Sequence, residues 1–264
     1  KEMNVKPLIF TKGHVIGDDN LVKRYYSRHG INTGEELIEE IKKCDARILL
    51  GFNSFDTDAQ DKMVGNIKGY TLKRNRALEL LVKTDFNKHN PTHLCLAMNP
   101  VTNQNYDEIF EMYVWARERN LYAIVTPSMI GGRCAEEYDW KKITPPKDKL
   151  VELYTKIYRY NIERGIQTLE EIKRDGISSY AGGVPCHQVA CGMYIALNGT
   201  VLRCPGDDIT VFGDMKEKSL KDIWLNSENY KKWKGLFNCG CPPKEGKSIP
   251  NGLYKKVIFN LEKR

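Results

Sequence analysis

The chain has 264 residues, 41% hydrophobic and 28% charged, with 41 Lys and Arg against 34 Asp and Glu and so a formal net charge of +7. That length can bury a substantial core and has room for one large domain and a small one, and the composition is that of a soluble globular protein. No apolar run approaches the roughly eighteen residues of a membrane span, and no basic n-region with an apolar h-region marks a secretory leader.

The lysines are scattered among glutamates along predicted helices, which describes a solvated surface. Tyr230-Lys231-Lys232-Trp233-Lys234 interleaves rings with cations, as a nucleic-acid groove does. The competing reading is a solvated helix face with its rings packed inward, and it is the one adopted: no nucleic-acid or membrane partner is expected. Eight cysteines without a leader point to a reduced, cytoplasmic protein.

In chain order, Lys6 to Thr11 reads as a short buried strand ending at Lys12-Gly13. A loop with Gly17-Asp18-Asp19 follows, then a helix over 21–28. Thr33 with Glu36 predicts a capping box, and Leu37, Ile38 and Ile41 give the apolar stripe of the helix it starts. Ala46–Phe52 is a second buried strand, followed by Asn53 and Ser54. Leu78, Leu81 and Val82 mark a helix. His93–Met98 is a third strand with Asn99-Pro100 in the loop beyond. Ile109, Met112, Tyr113 and Ala116 mark a helix, and Leu121–Val125 a fourth strand. Alternating strands and helices at this pitch predict βα units on a parallel sheet. Thr11, Lys12, Asn53, Ser54, Asn99 and Arg133 all follow strand ends, the edge where parallel α/β sheets bind ligands. A long amphipathic helix over 147–164 and a shorter one from Leu169 lead to a loop over 176–183, and 253–262 predicts a terminal helix.

Five of the eight cysteines fall between Cys186 and Cys241. Cys186 and Cys191 are separated by four residues, Cys191 and Cys204 by twelve, and Cys239 and Cys241 by one. Met193–Leu197 and Thr200–Arg203 flank Asn198-Gly199, the strongest short hairpin signal, which folds Cys204 back toward Cys186 and Cys191. Thiols gathered in a reducing compartment point to a metal centre. Structural zinc prefers CxxC knuckles and neither close pair has that spacing. Iron–sulfur clusters take looser cysteine patterns, so a cluster is preferred with zinc as the alternative. Cys44, Cys95 and Cys134, placed on a helix, in a strand and in a loop, read as structural.

Cys186, twelve residues, Gly199, four residues and Cys204 resembles the opening of the SPASM/twitch auxiliary-cluster domain of radical S-adenosylmethionine (SAM) enzymes. Phe212-Gly213-Asp214 and Ser219–Trp224 resemble its continuation. The family usually takes further ligands from a CxxC. Here the candidates are Cys191, Cys239 and Cys241, so Cys186, Cys191, Cys204, Cys239 and Cys241 stand as five thiols for four positions. Leu8–Gly13 is similar to the family's third strand, and Phe52–Gly65 to its fourth strand and following helix. The resemblance implies an α/β fold: a partial parallel (β/α) barrel over 1–145, a helical linker over 146–182, a small cysteine-rich α+β cluster domain over 183–248 and a helical tail over 249–264. It further implies that Asn53 and Ser54 contact the ribose or amino-acid part of SAM, with Arg133 facing the same cavity.

The family's CxxxCxxC loop does not occur in this sequence. The expectation is therefore a radical SAM oxidoreductase or maturase lacking an N-terminal portion. The intact protein would bind SAM on a second 4Fe–4S cluster and abstract hydrogen through a 5′-deoxyadenosyl radical. Its substrate would be a peptide, a protein or a small molecule, and its reductant a flavodoxin or ferredoxin. The chain alone would be inactive, and no residue is singled out as catalytic. The alternative is a non-enzymatic zinc or iron–sulfur module with a degenerate barrel.

Overall fold

A computed structural model describes residues 5–131, 133–136, 139–187, 191–233, 240–241 and 243–263. The chain divides into two compact units, 1–125 and 126–264.

The first unit is built on an open parallel sheet whose strands lie in sequence order: β1 (Leu8–Thr11), β2 (Arg47–Gly51), β3 (Leu94–Val101) and β4 (Tyr122–Pro127). Ile9 lies beside Ile48, and Ile48 beside Leu94, so one row of side chains runs across three strands. The helices between strands are α1 (Asp19–Tyr26), α2 (Gly34–Lys43), α3 (Thr57–Met63), α4 (Tyr70–Lys83) and α5 (Tyr106–Glu118). Val22, Ile38, Leu81 and Met112 from these helices and Ile48, Leu50, Leu94, Leu96 and Met98 from the strands have no exposed surface. Each such side chain contributes about 1.5–3 kcal/mol by leaving water.

Local chemistry sets the helix starts. Thr33 and Glu36 form the expected capping box on α2, and Asp18 caps α1 through the backbone N–H groups of Asn20 and Leu21. Asp18 also pairs with Lys73 at 2.8 Å and Asp19 with Arg76 at 2.6 Å, tying α1 to α4. Gly17 makes this approach possible: a Cβ there would stand 1.8 Å from the Lys73 carbonyl oxygen.

Two expectations are corrected. β1 is not buried: Phe10 is 70% and Leu8 50% exposed. The buried reading assumed neighbours on both sides, whereas among the described residues β1 pairs with β2 alone. β3 also does not stop at Met98. It continues through Asn99 and Pro100, held by hydrogen bonds from the Asn53 amide to the Asn99 carbonyl (3.1 Å) and from the Asn105 amide to the Pro100 carbonyl (3.1 Å).

The second unit opens with α6 (Arg133–Glu136), α7 (Trp140–Ile143), α8 (Lys147–Glu163) and α9 (Leu169–Asp175). An antiparallel sheet follows, ordered β5 (Tyr194–Ile195), β6 (Thr200–Cys204), β7 (Asp207–Asp214). Then come α10 (Leu220–Asn226), α11 (Glu228–Trp233) and α12 (Leu253–Glu262). The Asn198-Gly199 hairpin forms, with Gly199 at φ +93°. Strand β7 was not expected. It returns from Cys204 through Pro205-Gly206 and pairs Val201 with Gly213. Cys134, expected in a loop, sits in α6.

At the carboxyl edge of the first sheet one side chain ties a loop to a helix. Gln60 Oε1 accepts from Asn53 N (2.8 Å), Ser54 N (3.1 Å) and Arg74 Nη1 (2.9 Å). Arg74 has no exposed surface. Its guanidinium also donates to the Ser54 carbonyl and lies 3.7 Å from the Phe52 ring centroid, and burial lowers its pKa to about 10. Replacing Gln60 by leucine strands three buried donors at about 1–3 kcal/mol each. Gln60→Leu is therefore expected to lower the unfolding temperature by roughly 6 °C or more at this chain length. Gln60→Glu keeps the acceptor and gives Arg74 a carboxylate, so it should unfold within a few degrees of wild type. Equal losses in a thermal melt would show that the hub does not depend on hydrogen bonding.

Candidate metal centre

The thiols of the second unit are positioned by three pieces of structure. The first is the stretch before Cys186, held by one face of α8. Tyr154 donates its hydroxyl to the Ser179 carbonyl (2.7 Å), and Asn161 its amide to the Gly182 carbonyl (3.0 Å). Tyr158 lies between them and donates to Gly183 O (3.4 Å). Residues 154, 158 and 161 follow helical spacing, so a single stripe anchors the segment that delivers Cys186.

The second piece is the β6–β7 hairpin. Val201, Phe212, Ile223 and Tyr230 form a small buried core. Gly213 allows it, since a Cβ there would stand 2.7 Å from Ile223 Cγ1. Ser219 caps α10, which carries Ile223. Phe212-Gly213-Asp214 and Ser219–Trp224 thus work as one packing unit. It sets Cys204 at the end of β6, beside the buried Arg203–Asp207 pair. Tyr230 packs inward against Phe212 with centroids 4.2 Å apart, as the solvated-face reading of that helix expects.

The third piece is the turn after Gly240. The backbone N–H groups of Lys244 and Glu245 both donate to the Cys241 carbonyl (2.8 Å each), and Ile130 N donates to Pro243 O (2.8 Å). This turn buries Lys244 completely. Its Nζ donates to Thr126 Oγ1 (2.6 Å) and lies 4.6 Å from the Tyr180 ring centroid.

Cys186, Cys204 and Cys241 are free, half-buried and close enough to act on one another electrostatically. Burial raises the Cys204 and Cys241 thiols above their ordinary values, and the neighbouring thiols add to it. Burial also lowers the Lys244 ammonium to about 8, against the pull of the same three sulfurs. Burial, with these sulfurs adding, raises the Tyr180 hydroxyl to about 12. Cys191 is exposed, and its thiol donates to the His187 carbonyl at 3.1 Å. Cys239 lies outside the described residues.

The thiolates of Cys186, Cys204 and Cys241 are ligand types for zinc or for an iron–sulfur cluster. Among the described residues no three His, Cys, Asp or Glu side chains gather as a single-metal site. Among the described residues Ser179 Oγ is buried without a hydrogen-bond partner of normal geometry, and it lies beside the Cys241 thiol. A hydroxyl so placed is a donor for a ligating sulfur.

Cys44 and Cys95 belong to the first unit. Cys44 caps the end of α2 and is exposed. Cys95 lies inside β3, where burial pushes its thiol to about 12.

The residues expected near SAM fall into two groups. Lys12 and Asn99 are exposed at the carboxyl edge, with Thr11 half-buried beside them, its hydroxyl accepting from Gly13 N. Asn53 is 4% exposed, its amide given to Asn99 O and its carbonyl to Asn105. Ser54 has no exposed surface, and its hydroxyl accepts from Asp56 N. Both are engaged in holding the loops together. Arg133 begins α6 in the second unit. Lys12 also lines a cavity of about 360 Å³ with His14, Met63, Ile67 and Tyr70. Sequence reasoning missed Gln60, Arg74, Asn105, Ser179 and Lys244. Of these only Arg74 left a signal, its helical spacing with Tyr70, Ala77, Leu78 and Leu81.

Comparison with known proteins agrees with this geometry. Residues 186–247 match the model of the SPASM family, an iron–sulfur cluster-binding domain. No curated protein matches the chain. Among solved structures, native anSMEcpe with bound AdoMet and the Cp18Cys peptide aligns with a TM-score of 0.55 at 11% identity, over 98% of this chain and 75% of that one. Residues 186–247 thus match an iron–sulfur cluster-binding SPASM domain, on a chain that shares the fold of native anSMEcpe.

Proposed function

We propose that this chain is the SPASM-bearing part of a radical SAM oxidoreductase or maturase that abstracts hydrogen from its substrate, with a 4Fe–4S cluster on four of Cys186, Cys191, Cys204, Cys239 and Cys241. The observation that carries the reading is that Cys186, Cys204 and Cys241, all in the matched segment, act electrostatically on the buried Lys244 and on Tyr180 just before that segment. The bound peptide of the structural neighbour supports a peptide or protein substrate, with a small molecule as the other class and a flavodoxin or ferredoxin as reductant.

Within this reading the chain's residues have distinct tasks. Cys186, Cys204 and Cys241 hold the cluster, and Cys191 or Cys239 completes it. Ser179 donates to a ligating sulfur. Thr11, Lys12 and Asn99 would present polar groups to SAM at the carboxyl edge, with Asn53 and Ser54 fixing the loop beside them. The auxiliary cluster, when bound, would supply a one-electron acceptor for a substrate from which a hydrogen atom had been removed. The chain has no CxxxCxxC to hold a SAM-cleaving cluster, so by itself it should be inactive.

Anaerobic reconstitution with iron and sulfide should load about four of each per chain and give the broad absorbance of a cluster. One zinc and no sulfide would favour the structural module instead. Incubated with SAM and dithionite, the reconstituted chain should form no 5′-deoxyadenosine, and its appearance would refute the assigned inactivity. Cys186→Ser, Cys204→Ser and Cys241→Ser should each cut bound iron by half or more, while Cys44→Ser and Cys95→Ser keep it. Whichever of Cys191→Ser and Cys239→Ser loses iron identifies the fourth ligand, and full loading in all three of the first set would remove the ligand assignment.

A further inference from the structure

We propose that Lys244 is a built-in counter-cation for the sulfur centre of Cys186, Cys204 and Cys241, and that its fixed charge raises the reduction potential of the cluster held there. The inference rests on the proposed cluster.

Lys244 has no exposed surface, and among the described residues no carboxylate lies within ion-pair distance of its ammonium. Its contacts are the Thr126 hydroxyl and the Tyr180 ring face, neither of which carries a formal charge. Among the described residues the groups that favour its charge are the three thiols, Cys241 foremost, whose carbonyl also accepts from Lys244 N at 2.8 Å. A buried ammonium without an anion is costly, and an apolar side chain of the same length would fill the space without that cost. The arrangement makes physical sense when the sulfurs are anionic, as they are when ligating iron.

Lys244 also cannot swing away. Its own N–H donates to the Cys241 carbonyl (2.8 Å) and its carbonyl accepts from Ile249 N (2.8 Å), so cation and ligand share one rigid turn. One-electron reduction adds a negative charge to a cluster whose ligand sulfurs act electrostatically on this ammonium. A fixed positive charge in a low-dielectric site stabilises the reduced state more than the oxidised one.

The test is a potentiometric titration, read by electron paramagnetic resonance, of the full chain reconstituted anaerobically and reduced with dithionite. Wild type is compared with Lys244→Met, Lys244→Gln, Lys244→Arg and Thr126→Val. Wild-type iron and sulfide content is expected in each. At a fixed potential the ratio of reduced to oxidised cluster should fall at least tenfold in the Met and Gln variants. That corresponds to a midpoint about 59 mV more negative for one electron. Lys244→Arg and Thr126→Val, which keep a cation, should stay within threefold of wild type. A neutral variant within threefold of wild type overturns the proposal, as does an Arg variant that shifts as far as Met. If the neutral variants fail to load iron while Arg loads, the charge requirement stands, now at assembly; if all three Lys244 variants fail, the residue is a packing element and the proposal falls. A wild-type chain that takes up no iron and sulfide refutes the cluster reading instead.

Discussion

Setting a fully buried ammonium group beside half-buried sulfurs is the constraint on which the second unit is built. Neither party tolerates burial alone: desolvation drives Lys244 toward its neutral form and the Cys204 and Cys241 thiols toward theirs. The charged form of each is favoured by the other's charge. The separate devices that hold them, a tyrosine stripe on α8, a hairpin end and a backbone turn, serve that one requirement of mutual proximity.

The motif after the first cysteines has a packing explanation that does not involve the metal. Phe212, Ile223 and Tyr230 form the core under the hairpin, and Gly213 is the position where helix α10 meets strand β7 with no room for a side chain. A change there would be felt at Cys204, one hairpin arm away. Short motifs that read as signatures of a cofactor can be the supports that keep the ligand-bearing strand in place.

Much of the architecture was legible because its signals are local. The capping box at Thr33 and Glu36, the Asn198-Gly199 turn and the βα alternation depend on residues a few positions apart, and each formed where expected. Strand β7 escaped because it starts on Asp207-Asp208 after Pro205-Gly206, a run poor in strand formers, and is made by pairing with β6. Arg74 sits among Lys73, Asn75 and Arg76, where composition says solvent, yet its place on the inner face of α4 buries it completely. Lys244, between Pro243 and Glu245, reads as an ordinary surface lysine; only the fold brings the thiols and Thr126 to it. Polar residues that owe their role to partners far along the chain are what a linear reading passes over.

The open side of β1 carries a consequence of its own. Phe10 and Leu8 stand out from a strand whose second row of backbone groups meets no neighbouring strand among the described residues. Proteins commonly blunt such edges with charge, proline or a bulge, and Leu8-Ile9-Phe10-Thr11 has none of these. At high concentration this strand is a template for strand addition, so self-association would begin at β1, on the unit that does not carry the sulfur centre.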